Sequence, residues 1–574
     1  MMKSQYLELF INAVTIVIVL HSLFQHPHAG LWTALLACIS VLALVLEASS
    51  WRSIAIIYQG RDATGPGLAL GLLAVPLLTA ATAASRPGEG LVTHGAFQAA
   101  LALASGQLLL IATQVALDQR LSAWDSWHAR DEADGEELGT PSKARAHCSL
   151  LAQGTVAAAP PPEPWRAQGS AAAVLGSLGV LGTLLVIAVL SGDPAVLPWA
   201  YAALGAGTLH ATLALLLPRT LTLGEGALIT QGLVLAVTAA STATPPLLRL
   251  VTRLPVAAVA AGCALIPLLK TARARDGPVP TKQRVPWQRV CLGCSCLLTA
   301  GLALAAIHPA LWALQYGLAT PRRRAVLLAW FVLLGGGLPA MRWLSSRKTV
   351  PQILVRKGYH LLAVTLFLPV LLVEPGLLGL ALAIAFAGLV AVEAVRSAAL
   401  PGVSLRITDF MERFTDARDA GPIYVTHFAL LLGMALPVWL SLDWEAGERQ
   451  GPPGLLEGGA VRARAPALAG ILILGFGDSA ASLVGRLWGD HALAADNPKT
   501  WEGLAAGSAA TLAGWVGVAL LSSALPGVAL LSPQPTQGGL LAATSLSCFL
   551  EAVTGQLDNA VLPLHYYTLL LCLA

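Results

Sequence analysis

Gly376-Leu-Leu-Gly-Leu-Ala-Leu-Ala-Ile-Ala-Phe-Ala-Gly-Leu-Val-Ala-Val-Glu-Ala-Val395 carries one ionisable side chain, Glu393, in an otherwise apolar stretch. A helix of about 20 residues rises about 30 Å, the thickness of the hydrocarbon core of a bilayer. Runs of the same character recur along the chain, and no period-two alternation marks the strands of a membrane barrel. Of the 574 residues, 56% are hydrophobic and only 11% are charged. The mean hydropathy is +0.70. An ordinary soluble domain carries roughly 25% charged residues. The reading is an all-α, polytopic integral membrane protein with about fifteen transmembrane helices.

The expected spans lie near 7–24, 31–49, 67–85, 91–117, 171–191, 194–217, 226–247, 254–269, 290–314, 325–341, 358–373, 376–395, 422–441, 466–485, 504–531 and 538–574. The last is expected to break around Asp558-Asn559. The polar segment 118–170 holds an acidic run and a triple proline, a composition that buries no core and reads as a flexible loop. Charged residues at helical spacing become frequent only after about residue 350, so 1–350 reads as a multi-helix membrane scaffold and 351–574 as the working unit. The first apolar run lacks a small-residue cleavage site and is expected to be a membrane helix. Lysine and arginine favour the N-terminus and the loops after even-numbered spans, which places those segments in the cytoplasm.

A net charge of +4, with basic residues spread over many loops, argues against nucleic-acid binding. The eight cysteines lie mostly in apolar runs, as small buried hydrophobes do. Cys291-Leu-Gly-Cys294-Ser-Cys296 lacks the second half that a zinc site needs.

Polar residues that interrupt the apolar runs are costly in lipid unless they are paired or used. Arg356, Lys357 and His360 share one helical face at the mouth of a span, a face that suits an anion or an interfacial anchor. Glu393 and Arg396 can pair, and further on Asp416-Ala-Arg418-Asp419-Ala-Gly421-Pro422 leads into Thr426 and His427. Gly475-Phe-Gly477-Asp478-Ser479-Ala-Ala-Ser482-Leu-Val-Gly485 combines small residues with an aspartate, and Asn497-Pro-Lys499-Thr500-Trp-Glu502-Gly503 follows a short polar interval. Packing accounts for the small residues but not for Asp478, Lys499, Thr500 and Glu502. Lysine, hydroxyls and a carboxylate that can hold a divalent cation are the groups a polyphosphate requires. Gly475-x-Gly477 lacks the third glycine and the preceding strand of a dinucleotide fingerprint, and the chain has no P-loop motif. Glu551, Thr554 and Asp558 form a polar stripe at helical spacing near the C-terminus.

In order along 351–574, these stretches resemble the CTP-dependent dolichol kinases, and more distantly phytol kinases, CTP-dependent diacylglycerol kinases and phosphatidate cytidylyltransferases. The likeness rests on Arg-Lys-x-x-His at 356–360, Glu-x-x-Arg at 393–396, Asp-x-Arg-Asp-x-Gly-Pro at 416–422, Gly-Asp-Ser-Ala-Ala-Ser-x-x-Gly at 477–485, Lys-Thr-x-Glu-Gly at 499–503 and Glu-x-x-Thr-x-Gln-x-Asp-Asn at 551–559. Pro498 and Leu504 depart from the pattern. The resemblance implies transfer of the γ-phosphoryl group of CTP to dolichol, on the cytoplasmic face of the endoplasmic reticulum membrane, giving dolichyl phosphate for protein glycosylation. It implies a divalent cation, with magnesium foremost, held by Asp478, Asp558 and Asn559. Phosphates are assigned to Lys499, Arg356, Lys357 and Arg418, and the general base to Asp419 or His360. Gly475, Gly477, Ser479, Ser482, Gly485, Thr500 and Glu502 complete the nucleotide site. The alternatives are a CTP-dependent kinase of another lipid alcohol, a cytidylyltransferase and, outside the enzymes, a transporter.

Overall fold

In the computed structural model the described residues are 3–24, 30–57, 67–85, parts of 100–111, 209, 210, 213, 220–242, 246–273, 309–347, 352–397, 403–411, 415, 419, 423–443, 462–524 and 535–573. The loop 118–170, the spans near 171–191 and 290–308, the Cys291–Cys296 stretch, and Asp416, Arg418, Gly421 and Pro422 lie outside them.

The helices are α1 (Ser4–Phe24), α2 (Gly30–Ile57), α3 (Leu68–Ser85), α4 (Leu223–Thr242), α5 (Pro246–Arg273), α6 (Pro321–Ser346), α7 (Gln352–Val373), α8 (Pro375–Ser397), α9 (Val403–Met411) and α10 (Val425–Ser441). A helical rod, α11 (Ala465–Trp488), follows. Then come α12 (Trp501–Ala524), α13 (Gln537–Val553) and α14 (Asp558–Leu573). The break expected at Asp558-Asn559 is present as the junction of α13 and α14. Among the described residues, six helices are long and apolar enough to cross a membrane, and further apolar helices are shorter. α6 shows why burial in protein is not the only fate of apolar residues here: Leu328, Phe331 and Val332 are 65%, 76% and 62% exposed. In water such a surface would be unstable, whereas a lipid-facing helix carries it without cost.

Strand among the described residues is confined to two antiparallel ribbons, β1 (Leu442–Asp443) with β2 (Arg462–Ala463) and β3 (Ala492–Ala494) with β4 (Asn497–Thr500). The second ribbon connects α11 to α12, where the sequence suggested only a polar interval. Its turn, Ala495-Asp496, lacks the glycine that marks a two-residue hairpin in sequence, and Asn497 Nδ2 donates to the Ala552 carbonyl at 2.8 Å, so tertiary contact fixes the ribbon.

The central core runs across the boundary near residue 350. Ile11, Leu70, Val75 and Leu228 belong to the same buried cluster as Leu371, Met434, Leu472 and Tyr566. Polar ties lie inside it: Trp515 Nε1 donates to the Tyr566 hydroxyl at 2.9 Å, and that hydroxyl also lies 2.9 Å from Thr544 Oγ1. These bonds join α12, α13 and α14 by groups that would otherwise be buried without partners. α10, α11 and α14 approach at backbone distance, and a Cβ added at Gly433 would lie 1.9 Å from the Asn559 carbonyl oxygen. Only glycine admits that contact.

α11 is not uniform. It opens with a 3-10 turn at Ala465–Leu468, passes through α-helix at Ala469–Leu472 and a π turn at Ile473–Asp478, and ends as α-helix at Ser479–Trp488. A π turn inserts a residue and re-aims the side chains beyond it, and such turns are frequent at functional sites. Here the turn ends on Asp478.

Candidate active site

Asp478 is 6% exposed, and its carboxylate faces the first turns of α7. Lys357 Nζ donates to Asp478 Oδ2. His360, one turn further along α7, has Nδ1 3.4 Å from the same oxygen and 3.3 Å from the Leu474 carbonyl. Ser482, one turn after Asp478, donates to Oδ1 at 3.3 Å. The helical spacing of Lys357 with His360 and of Asp478 with Ser482 therefore presents two short faces to each other. A carboxylate so deep in the protein needs such partners, because desolvation of an isolated charge is prohibitive.

Lys499 stands on β4 and meets the end of α13. Its Nζ donates to Glu551 Oε1 at 2.6 Å, with side-chain exposures of 39% for the lysine and 3% for the glutamate. Burial alone would lower the pKa of Lys499, but the charges of Glu551, Asp478 and Asp558 outweigh it and hold the pKa above the ordinary lysine value. The ammonium is therefore fixed as a cation, in electrostatic reach of carboxylates from α11, α13 and α14. Glu551 also feels the charge of Lys357 favourably and that of Asp478, a like charge, unfavourably. Lys357, Asp478, Lys499 and Glu551 thus form an alternating set of charges gathered from α7, α11, β4 and α13.

Other expected site residues support this set. Thr500 Oγ1 accepts from the Gly503 backbone N–H at 3.2 Å and so caps the start of α12. Glu502 accepts from His491 Nδ1 at 2.5 Å and from the His491 backbone N–H at 3.3 Å, closing the β3–β4 ribbon. Asp558 Oδ1 accepts from the Asn559 N–H at 2.9 Å in the first turn of α14. Ser479 Oγ lies 3.4 Å from the Leu474 carbonyl. A Cβ at Gly475 would meet Val364, one at Gly477 would meet Thr511, and one at Gly485 would lie 3.1 Å from Thr500 Oγ1. In this structure those glycines serve the approach of α11 to α7, α12 and β4.

Asp419 is placed elsewhere. It is buried and accepts from Thr426, at 3.1 Å from the backbone N–H and 2.6 Å from the hydroxyl, so it caps the start of α10. Around it stand Glu393 and Arg396, paired at 2.5 Å, with Tyr424 donating its N–H to Glu393 at 3.0 Å and its ring under the guanidinium. The pairing expected between Glu393 and Arg396 is therefore present. Arg418 lies outside the described residues.

Glu551 is the functional residue that the sequence reading placed in a polar stripe but gave no task; its position opposite Lys499 depends on a contact between positions 52 apart. Among the described residues, no group of three or more His, Cys, Asp or Glu side chains is placed to hold a metal ion unaided. The donors present, Asp478, Glu551 and Asp558 around Lys499, are hard carboxylates. Carboxylates are the donors that a small divalent cation accepts alongside phosphate and water oxygens.

The chain is similar to the dolichol kinase EVAN of Arabidopsis thaliana, 37% identical over 266 residues, covering 46% of this chain and 43% of that protein. It is similar to the dolichol kinase of Homo sapiens, 30% identical over 290 residues, covering 48% of this chain and 51% of that protein. It is also similar to the dolichol kinase sec59 of Schizosaccharomyces pombe, 33% identical over 215 residues, covering 37% of this chain and 38% of that protein. The chain thus spans about half the length of the curated relatives it matches. No family model and no solved structure matches it.

Proposed function

We propose that this chain is a lipid-alcohol kinase that transfers the γ-phosphoryl group of CTP to the terminal hydroxyl of dolichol. The observation that carries the reading is the alternating set Lys357, Asp478, Lys499 and Glu551 at the ends of these helices, in a chain similar to proteins named dolichol kinase. Phosphoryl transfer asks a protein mainly for positioning and for neutralisation of phosphate charge. When the triphosphate enters, Lys357 and Lys499 exchange their carboxylate partners for phosphate oxygens, and Arg356 and Arg418 are assigned to the same phosphates. Asp478 and Asp558 with Asn559 would hold a divalent cation, magnesium foremost, which would supply neutralisation of phosphate charge. Ser479, Ser482 and the backbone beside Gly475, Gly477 and Gly485 line the nucleotide, and Thr500 and Glu502 keep Lys499 in place through the start of α12 and the ribbon.

The acceptor oxygen attacks the γ-phosphorus, the bond to the β-phosphate oxygen breaks, and CDP leaves. The hydroxyl proton needs an acceptor. Of the two candidates, His360 suits that role better, because both oxygens of Asp419 are engaged by Thr426. The prenyl chain lies among the apolar helices, in the membrane of the endoplasmic reticulum, with the charged site on the cytoplasmic side, and the product serves protein glycosylation.

Reconstituted protein given γ-labelled CTP or γ-labelled ATP, with dolichol, phytol or diacylglycerol, tests the reading. CTP-dependent labelling of dolichol above the other alcohols is the expected result. Preference for phytol or diacylglycerol would transfer the chain to another lipid kinase, and substrate flux without CTP would favour a transporter.

A further inference from the structure

The N-terminal half contributes charged groups that reach the site from behind. Ser4, at the start of α1, donates its backbone N–H and its hydroxyl to Asp496 Oδ1, both at 2.8 Å. Asp496 is the turn residue of the ribbon that carries Lys499. One turn later on α1, Glu8 accepts from the Thr554 hydroxyl at 3.1 Å and from the Gly555 backbone N–H. Thr554 Oγ1 in turn accepts from the Gln556 N–H at 3.2 Å. From α4, Glu225 accepts the Leu557 N–H at 2.7 Å through one oxygen and the Thr222 N–H at 2.8 Å through the other. Thr222 Oγ1 donates to Gln556 Oε1. The start of α3 closes the last side: Gly67, with φ of 61°, lies so near the Gln556 side chain that a Cβ there would be 2.1 Å from it.

Every backbone N–H between Thr554 and Asp558 is therefore directed, straight or through one hydroxyl, to a buried acceptor of the N-terminal half. Glu8 and Glu225 are 4% and 2% exposed, which is exceptional for carboxylates outside a site. Their position is suited to the task, since the amides at the start of α14 form the positive end of its dipole. On either side of the bound turn stand Glu551, which holds Lys499, and Asp558, the first residue of α14.

We propose that Glu8, Glu225 and the Ser4–Asp496 contact are positioning residues for phosphoryl transfer. They form a clamp by which the N-terminal helices set the distance between Lys499 on its ribbon and the carboxylates of Glu551 and Asp558. This inference rests on the kinase reading, and it assigns a function to a half of the chain in which the sequence showed no motif. The clamp touches neither CTP nor the lipid, so its loss lowers turnover and leaves lipid affinity alone. A misplacement of about 1 Å at a reacting centre costs roughly 100-fold in rate.

The test uses the full chain in lipid nanodiscs, with two readouts: kcat and KM for the lipid alcohol, and hydrogen exchange of the 497–500 and 555–558 amides. Glu225→Ala and Asp496→Ala are each expected to lower kcat between about tenfold and about 100-fold with KM for the alcohol unchanged. Exchange should quicken at 555–558 in the first and at 497–500 in the second, with the later turns of α14 unaffected. Glu225→Gln keeps an acceptor oxygen for one of the two N–H groups, that of Leu557, and should recover kcat in part. Asp496 is exposed, so its variant folds even where Glu225→Ala does not. Wild-type kcat in both alanine variants, or unchanged exchange in those segments, overturns the clamp. Absence of CTP-dependent transfer in the wild type would instead sink the kinase reading, and exchange alone would then decide the clamp.

Discussion

Lys499 shows how two roles meet in one side chain. It neutralises a glutamate that is 3% exposed, and it reaches outward at 39% exposure toward the place where phosphate would arrive. Lys499→Ala should therefore abolish transfer and also destabilise the fold by up to about 3 kcal/mol, because a buried carboxylate is left unpaired. The double variant Lys499→Ala with Glu551→Gln separates the effects: thermal melting should recover most of the loss while activity stays absent. Recovery of activity with stability would show that Lys499 only holds the fold. For Asp478→Asn, the amide keeps the shape but loses the charge that faces Lys357 and His360. Turnover should fall at least 100-fold with the protein still folded, as expected when a charge that organises the lysines and cation of a phosphoryl site is removed; near-normal turnover would remove Asp478 from the site.

At the scale of elements, the β3–β4 ribbon and the α10–α14 contact are the testable joints. Glu502 raises the pKa of His491 above its ordinary 6.5, through a direct hydrogen bond and its charge, with Asp490 adding to it. The protonated histidine is the partner, so the contribution is complete below pH 6.5 and disappears as pH climbs through the raised value. Hydrogen exchange at 492–500 should quicken as pH rises above 6.5, beyond the intrinsic base catalysis, and His491→Ala should remove that excess. The pair is exposed, so the effect is local to the ribbon and global stability should not follow it. Gly433→Ala places a methyl against the Asn559 carbonyl and should lower stability by about 1–3 kcal/mol. A melting temperature equal to wild type would contradict the contact between α10 and α14.

Much of this was legible along the chain at the same scale. The apolar runs gave the helices because length and hydropathy alone decide that question in lipid, as Gly376 to Val395 does within α8. Helical spacing also foretold the pairing of Glu393 with Arg396 and the shared face of Lys357 and His360. What could not be read were contacts across long stretches: Lys357 with Asp478, 121 positions apart, and Thr554 with Glu8, 546 apart. Nothing local distinguishes Glu8 from an isolated acid in an apolar run, nor Asp419 as a helix cap from a catalytic carboxylate. Their roles are set by which helix packs against which.

At the scale of the whole molecule, α1 begins, α11 and α13 end, and α12 and α14 begin at one end of the bundle, since Ser4, Asp496, Lys499, Glu551 and Thr554 are joined there. On the proposed reading, lysine and arginine bias would put that end in the cytoplasm. Cysteines introduced by Lys3→Cys and Asp490→Cys, in a background without accessible native thiols, should both react with an impermeant maleimide from the cytoplasmic side of sealed vesicles. Labelling of the two from opposite sides would contradict the arrangement.

The central claim is that these charges, gathered at that end, move a phosphoryl group from CTP to a polyisoprenoid alcohol. Purified protein in nanodiscs with dolichol, given CTP labelled at either the α or the γ phosphorus, tests it in one measurement. The account predicts γ-label in the lipid, α-label in CDP, and neither transfer in Asp478→Asn. The appearance of α-label in the lipid with release of pyrophosphate, or no transfer by the wild type, would contradict it.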